Sequence, residues 1–161
     1  MTRKEQYQQL IPQIAALIKG ETNVVGILAN VSAPLHESFP ERFFWVGFYL
    51  QQDGEVLRLG PFQGSVACYT IPYGKGVCGK AWEEGRTLIV PDVEKIPGHI
   101  ACSSLSRSEI VVPMYDSSRR FYGVLDVDST HIDDFNTDDE EGLERIVALL
   151  MAEVKEVTMQ P

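Results

Sequence analysis

Residues 43–62, FFWVGFYLQQDGEVLRLGPF, mark the point at which the chain changes period. Before them apolar residues recur every three or four positions; within them apolar and aromatic residues alternate, as in strands. Residues 43–50 and 55–62 read as two strands flanking Gln-Gln-Asp-Gly. Asp53-Gly54 signals a hairpin, because both central positions of the favoured two-residue turn require positive φ. A period of two places Phe44, Val46, Phe48 and Leu50 on one face of the first strand and Phe43, Trp45, Gly47 and Tyr49 on the other. The first set is a core face. The second mixes amphipathic aromatics with a glycine, which suits a pocket wall as well as a second core layer.

Upstream, residues 4–18 place Leu10, Ile11, Ile14, Leu17 and Ile18 at helical spacing, with Gly20 as a stop. Residues 22–35 repeat that period with Val24, Val25, Leu28, Val31 and Leu35, and Pro34 and Pro40 mark the end. Downstream, residues 87–90, 108–115 and 121–128 read as further strands, the last two joined by the polar turn Asp-Ser-Ser-Arg-Arg. Thr137-Asp-Asp-Glu140 is a capping box that opens a terminal helix, whose buried stripe is Leu143, Ile146, Val147, Leu150 and Val154. Helices at both ends, a central antiparallel sheet and a loop-rich middle predict an α+β fold in one domain, residues 1–161, without internal repeats.

A chain of 161 residues with 44% hydrophobic and 23% charged residues matches the usage of a soluble globular protein and excludes a disordered or fibrous one. The net charge, 14 − 23 = −9, repels phosphate backbones and anionic lipid, and no basic patch offsets it, so neither nucleic acid nor membrane is an expected partner. No apolar stretch approaches the length of a membrane span, and the N-terminal residues do not form a signal peptide, so the expected setting is cytoplasmic. Three cysteines leave at least one thiol unpaired, which favours reduced, reactive thiols over a disulfide framework.

Three constellations could carry chemistry. Gly74-Lys-Gly-Val-Cys-Gly79 matches G-x-G-x-x-G, the phosphate-cradling pattern. However, Pro72 and Tyr73 separate it from the preceding strand and Gly85 limits the following helix to under two turns, so a glycine-rich turn with positive φ is the favoured reading. Cys68, Cys78 and Cys102 lack any C-x-x-C pair, and zinc would need all three thiols with His99 or His36 at an unusual spacing; no metal or cofactor is expected. The thiols read either as small buried hydrophobes or, for Cys78 and Cys102 in loops rich in Gly and Ser, as functional groups. Finally, Asp126 and Asp128 fall on one face of their strand, roughly 6.6 Å apart, opposite Gly123, Leu125 and Val127. Alone, that face reads as solvated. If the strand pairs with its neighbour, Glu109 joins them, and three converging carboxylates raise one another's pKa until one keeps a proton near neutral pH.

The runs GPFQGSVACYTIPYGKGVCGKA (60–81), GHIACSSLSRSEIVVP (98–113) and YGVLDVDS (122–129) closely resemble the free methionine-(R)-S-oxide reductases, small GAF-fold enzymes. GETNVVGILANVSAPL (20–35) and FNTDDEEGLERIV (135–147) extend the match over nearly the whole chain. The resemblance implies that Cys102 is the nucleophile, Cys68 the principal resolving thiol and Cys78 a second or auxiliary one. It further implies that Glu109, Asp126 and Asp128 form the carboxylate cluster of the substrate pocket, with Trp45 on the methyl-sulfoxide end and Tyr49 beside it. A homodimer recycled by thioredoxin is part of the same implication. The chemistry is coherent: a thiolate attacks a sulfoxide sulfur only if the oxygen is protonated as it leaves, and the resulting sulfenic acid condenses with a second thiol. Free methionine sulfoxide carries an ammonium group that an acidic pocket can select. The rival expectation from another class is a non-catalytic GAF sensor of small molecules.

Overall fold

The computed structural model describes residues 1–99 and 103–158, with side chains through residue 154. Among the described residues, six strands form one antiparallel sheet in the order β3-β2-β1-β6-β5-β4. They are β1 (Trp45–Gln52), β2 (Val56–Gln63), β3 (Thr70–Pro72), β4 (Leu88–Val90), β5 (Ser108–Tyr115) and β6 (Phe121–Ser129). Helices α1 (Arg3–Ile18), α2 (Val24–Ser38) and α4 (Thr137–Thr158) cover one face, and the short α3 (Gly76–Glu84) packs on the other. The pleat produces this division directly. In β6, Leu125 and Val127 join Val46, Phe48, Ile110 and Val112 under the helices, while Val124 joins Trp45, Tyr49 and Val111 on the opposite side.

The α+β class and the antiparallel centre are as expected, but several local expectations differ. Strand β1 starts at Trp45, so Phe43 and Phe44 precede it and escape the alternation. Phe43 N donates to Phe39 O in a turn, which swings Phe43 into the helical core against Phe39 and Phe135, while Phe44 packs on the other side. The β1–β2 connection has three residues, with Gln52 paired to Val56, and only Gly54 takes positive φ (+86°); Asp53 does not. Helix α2 is capped by Asn23, whose Oδ1 accepts from Gly26 N, and it runs through Pro34 to Ser38. Ile27 supplies its first buried turn while Val25 is exposed, and in α1 Tyr7 is buried while Leu17 is exposed.

The capping box of α4 lies one residue earlier than the pattern suggests. Asn136 Oδ1 accepts from the amides of Asp138 and Asp139, and Asn136 N donates to Asp139 Oδ2. Asp139 closes the box because it is also the anion of a buried ion-pair network, held by Arg3 at 2.8 Å and Arg42 at 2.9 Å and by the Tyr7 hydroxyl at 2.7 Å. The stripe from Leu143 to Val154 is buried throughout, as expected.

Candidate active site

Register brings the acids together. Asp128 pairs with Trp45 on β1 and with Glu109 on β5; two residues along, Asp126 pairs with Gly47 and Val111. Alternate positions of a strand share a face and paired residues lie on the same side, so Glu109, Asp126, Asp128, Trp45 and Tyr49 all point away from the three large helices. Opposite them, the first turn of α3 presents Gly76, Val77 and Cys78, and loops contribute Val66, Ala67, His99, Ser103 and Ser106. The enclosed cleft has about 540 Å³ of unfilled space, including its open mouth. The acid face is therefore not solvated as β6 alone suggests: Glu109 is 6% and Asp126 5% exposed, because α3 and the loops form a second layer over it.

None of the described residues lining the cleft is Lys or Arg. Burial, then Asp126 and Asp128, push the Glu109 carboxyl well above the usual range; burial and Asp126 do the same to Asp128, and burial raises Asp126. The trio titrates as a unit, and with Glu109 and Asp128 both pushed well up it holds protons to a higher pH than isolated carboxyls. Asp126 Oδ1 is buried and meets no donor from the ordinary protonation states around it. Ser106 Oγ donates to Asp128 Oδ1 at 3.2 Å. His99 Nε2 stands 4.0 Å from Glu109 Oε1, and burial lowers its pKa, so it brings a neutral ring and not a counter-cation. The Cys78 Sγ, a Glu109 oxygen and an Asp126 oxygen lie within 4.8 Å of one another, a donor set able to hold a metal ion. Burial first, then the three carboxylates, drive the Cys78 thiol far up, so it stays protonated.

Trp45 and Tyr49 form one wall. Their rings stack at 5.8 Å, and Trp45 also stacks on Phe62 at 5.1 Å. Gly47 makes this possible, since a Cβ there would lie 2.3 Å from Phe62 Cβ and 2.7 Å from the indole. Both polar ends then hold one loop: Trp45 Nε1 donates to Ser65 O and the Tyr49 hydroxyl to Cys68 O, each at 3.0 Å. Cys68, on that loop, is disulfide-bonded, whereas Cys78 is a free buried thiol. Cys102 lies outside the described residues. His36 stands apart from the cleft, its Nδ1 3.2 Å from Phe43 O on the helical side, so it is no companion for Cys78.

The G-x-G-x-x-G run is a turn into a helix. Gly74 and Gly76 have positive φ, and Gly79 is required because a Cβ would sit 2.6 Å from Pro72 O. Helix α3 has nine residues, about two and a half turns, longer than the expected stub. The run's work here is to set Cys78 against the acids. Sequence reading missed Phe44, Ser106 and His99 as lining residues; the β5 pairing that located Glu109 would also have placed Ser106, two residues before that strand.

Residues 21–154 match the GAF domain family. The chain is 55% identical over 92% of its length to GAF domain-containing protein A of Dictyostelium discoideum, of which it covers 92%. It is 45% identical over 93% of its length to the free methionine-R-sulfoxide reductase of Escherichia coli, covering 89% of that protein. Its structure superimposes with a TM-score of 0.94 and 45% identity on the Neisseria meningitidis free methionine-R-sulfoxide reductase solved with its substrate, covering 98% of this chain and 93% of that one.

Proposed function

The chain belongs to the free methionine-R-sulfoxide reductases of the GAF-domain family, and from that membership we propose that it reduces free methionine-(R)-sulfoxide to methionine through a cysteine sulfenic acid. The Cys102 thiolate attacks the sulfoxide sulfur while the proton kept on Glu109 passes to the sulfoxide oxygen. The hydroxyl then passes from that sulfur to the Cys102 sulfur as the sulfur–oxygen bond and the new sulfur–sulfur bond both break, so methionine leaves with its sulfur reduced by two electrons and Cys102 is left as S–OH. The Cys68 thiol condenses with it, releasing water and forming a disulfide. A dithiol protein of the thioredoxin type then restores both thiols by exchange. Asp126 and Asp128 receive the substrate ammonium, and Trp45 with Tyr49 receives the methyl-sulfoxide end. A homodimer in a cytoplasmic setting completes this reading.

The observation that carries it is the trio of buried Glu109 and Asp126 and half-buried Asp128, with no Lys or Arg among the described residues along the cleft. Such a site suits a cationic substrate and retains a proton for its leaving oxygen. The state of Cys78 supports an auxiliary role, since it is protonated and buried, hence a poor nucleophile; Cys68 is disulfide-bonded, which fits a cysteine that takes part in the redox cycle. Reduced protein mixed with free methionine-(R)-sulfoxide is expected to lose two thiols and form one disulfide per methionine released. Cys102→Ser abolishes both, whereas Cys68→Ser releases methionine once and stalls. Unchanged thiol content in the wild type would leave a ligand sensor as the reading. Peptide-bound and (S)-sulfoxide controls define the substrate.

A further inference from the structure

We propose that Cys78, Glu109 and Asp126 form a binding site for one divalent cation of the zinc class, and that its occupation closes the cleft to substrate. The three donors come from α3, β5 and β6, and their ligating atoms lie within 4.8 Å of one another. A tetrahedral shell with bonds of about 2.0–2.3 Å spaces donors roughly 3.5 Å apart, a contraction within reach of side-chain rotation. The second observation is Asp126 Oδ1, an oxygen without a hydrogen-bond partner on a side chain 5% exposed that belongs to the cluster. A cation supplies what it lacks. The proton that Glu109 keeps in the metal-free site is released when the ion binds, and His99 Nε2, 4.0 Å from Glu109, lies outside the three-donor set, which leaves the fourth position to water.

Donor chemistry selects the ion. A thiolate with two carboxylates suits Zn²⁺ or Co²⁺; Mg²⁺ and Ca²⁺ prefer oxygen alone, and Cu⁺ prefers sulfur. A cation at this point pulls the proton from the thiol and neutralises the acids that serve the substrate ammonium. Ion and substrate therefore exclude each other. The closure rests on the proposed reductase reading; cation binding does not.

Metal-free, fully reduced protein titrated with Co²⁺ tests this. One equivalent is expected to produce the near-ultraviolet band of thiolate-to-cobalt charge transfer, which Zn²⁺ abolishes and Mg²⁺ leaves intact. Cys78→Ser loses the band, and Asp126→Asn, which keeps the thiol, weakens Co²⁺ binding by about tenfold or more. Cys102→Ser and Cys68→Ser keep the band, and free methionine sulfoxide added to the Cys102→Ser protein displaces the ion. No band in the wild type, a band surviving Cys78→Ser, or a band lost with Cys102 or Cys68 overturns the site. Zn²⁺ inhibition that is not competitive with sulfoxide, or no displacement, overturns the closure. Metal-free protein that fails to reduce the sulfoxide sinks the reductase reading and leaves the cobalt result standing.

Discussion

Two buried carboxylates on opposite sides of the sheet show what separates structure from chemistry in this molecule. Asp139, under the helices and fully buried, is held by two guanidiniums, a phenol and a backbone amide. Asp126, under α3 and nearly as buried, faces Glu109, Asp128 and a protonated thiol, with one oxygen unpartnered. The first arrangement satisfies a charge; the second concentrates charge of one sign, which folding alone does not favour. Asp139 ties α1 and the turn before β1 to the start of α4 through charge-neutralising pairs, whereas the acid trio has no cation to pair with among the described lining residues.

The largest expected effect separates the two sites by readout. Glu109→Gln keeps the shape and neutrality of the protonated acid but cannot release the proton. It is expected to lower kcat/KM for free methionine sulfoxide by about 10²–10⁴-fold, the range of a lost general acid. Urea unfolding of the variant should match the wild type or show higher stability. Asp139→Asn makes the opposite change. It removes one of the two carboxylates that hold Arg42 and Arg3, leaving them Asp134, and is expected to cost about 1.5–3 kcal/mol of stability, with kcat of the remaining folded enzyme unaltered. If Glu109→Gln unfolds as readily as Asp139→Asn, the acid trio is structural and the contrast collapses.

How far this contrast was legible in sequence depends on periodicity. The alternation in residues 122–128 put Asp126 and Asp128 on one face and Leu125 and Val127 on the other, and the structure keeps that division. The pattern carried no information about what lies over the acid face, because α3 and the loops reach it through tertiary packing. Asp139 was read as a spacer inside a capping box, since its guanidinium partners are 136 and 97 residues away in sequence. Phe43 and Phe44 were exchanged between faces because a turn, and not the pleat, orients them. The thiols were placed by motif alone, and spacing said nothing of the carboxylates beside Cys78.

Stability against pH sharpens the same comparison at smaller amplitude. Glu109 and Asp128 hold protons to a higher pH in the folded chain than in the unfolded one. Their contribution is fully present below the unfolded carboxyl pKa and is lost as pH rises through the folded value. In that window unfolding free energy is expected to fall by about 1.4 kcal/mol per pH unit for each proton retained. Urea midpoints measured from about pH 4.5 upward should show this slope in the wild type, and Glu109→Gln should flatten it. A wild-type slope of the opposite sign means the trio enters the folded state ionised. If Glu109 is the proton donor, as proposed, the catalytic rate is expected to fall over the same rise in pH, because that proton is lost.

The smallest effect lies at the aromatic wall and distinguishes holding the substrate from holding a loop. Burial, reinforced by Asp126, keeps the Tyr49 phenol neutral, and its hydrogen goes to Cys68 O. Tyr49→Phe preserves the stack on Trp45 and removes only that bond, worth about 0.5–1.5 kcal/mol. Because the bond fixes the segment carrying Cys68, the proposed resolving thiol, the loss should fall on disulfide formation, slowing it by about tenfold at most. Release of methionine in the first turnover precedes resolution and should keep its rate. Rapid-quench measurement of methionine against thiol loss reads the two steps separately. Equal slowing of both would mean that the phenol touches the substrate directly, and Tyr49 would then belong with the acid trio and not with the scaffold that positions Cys68.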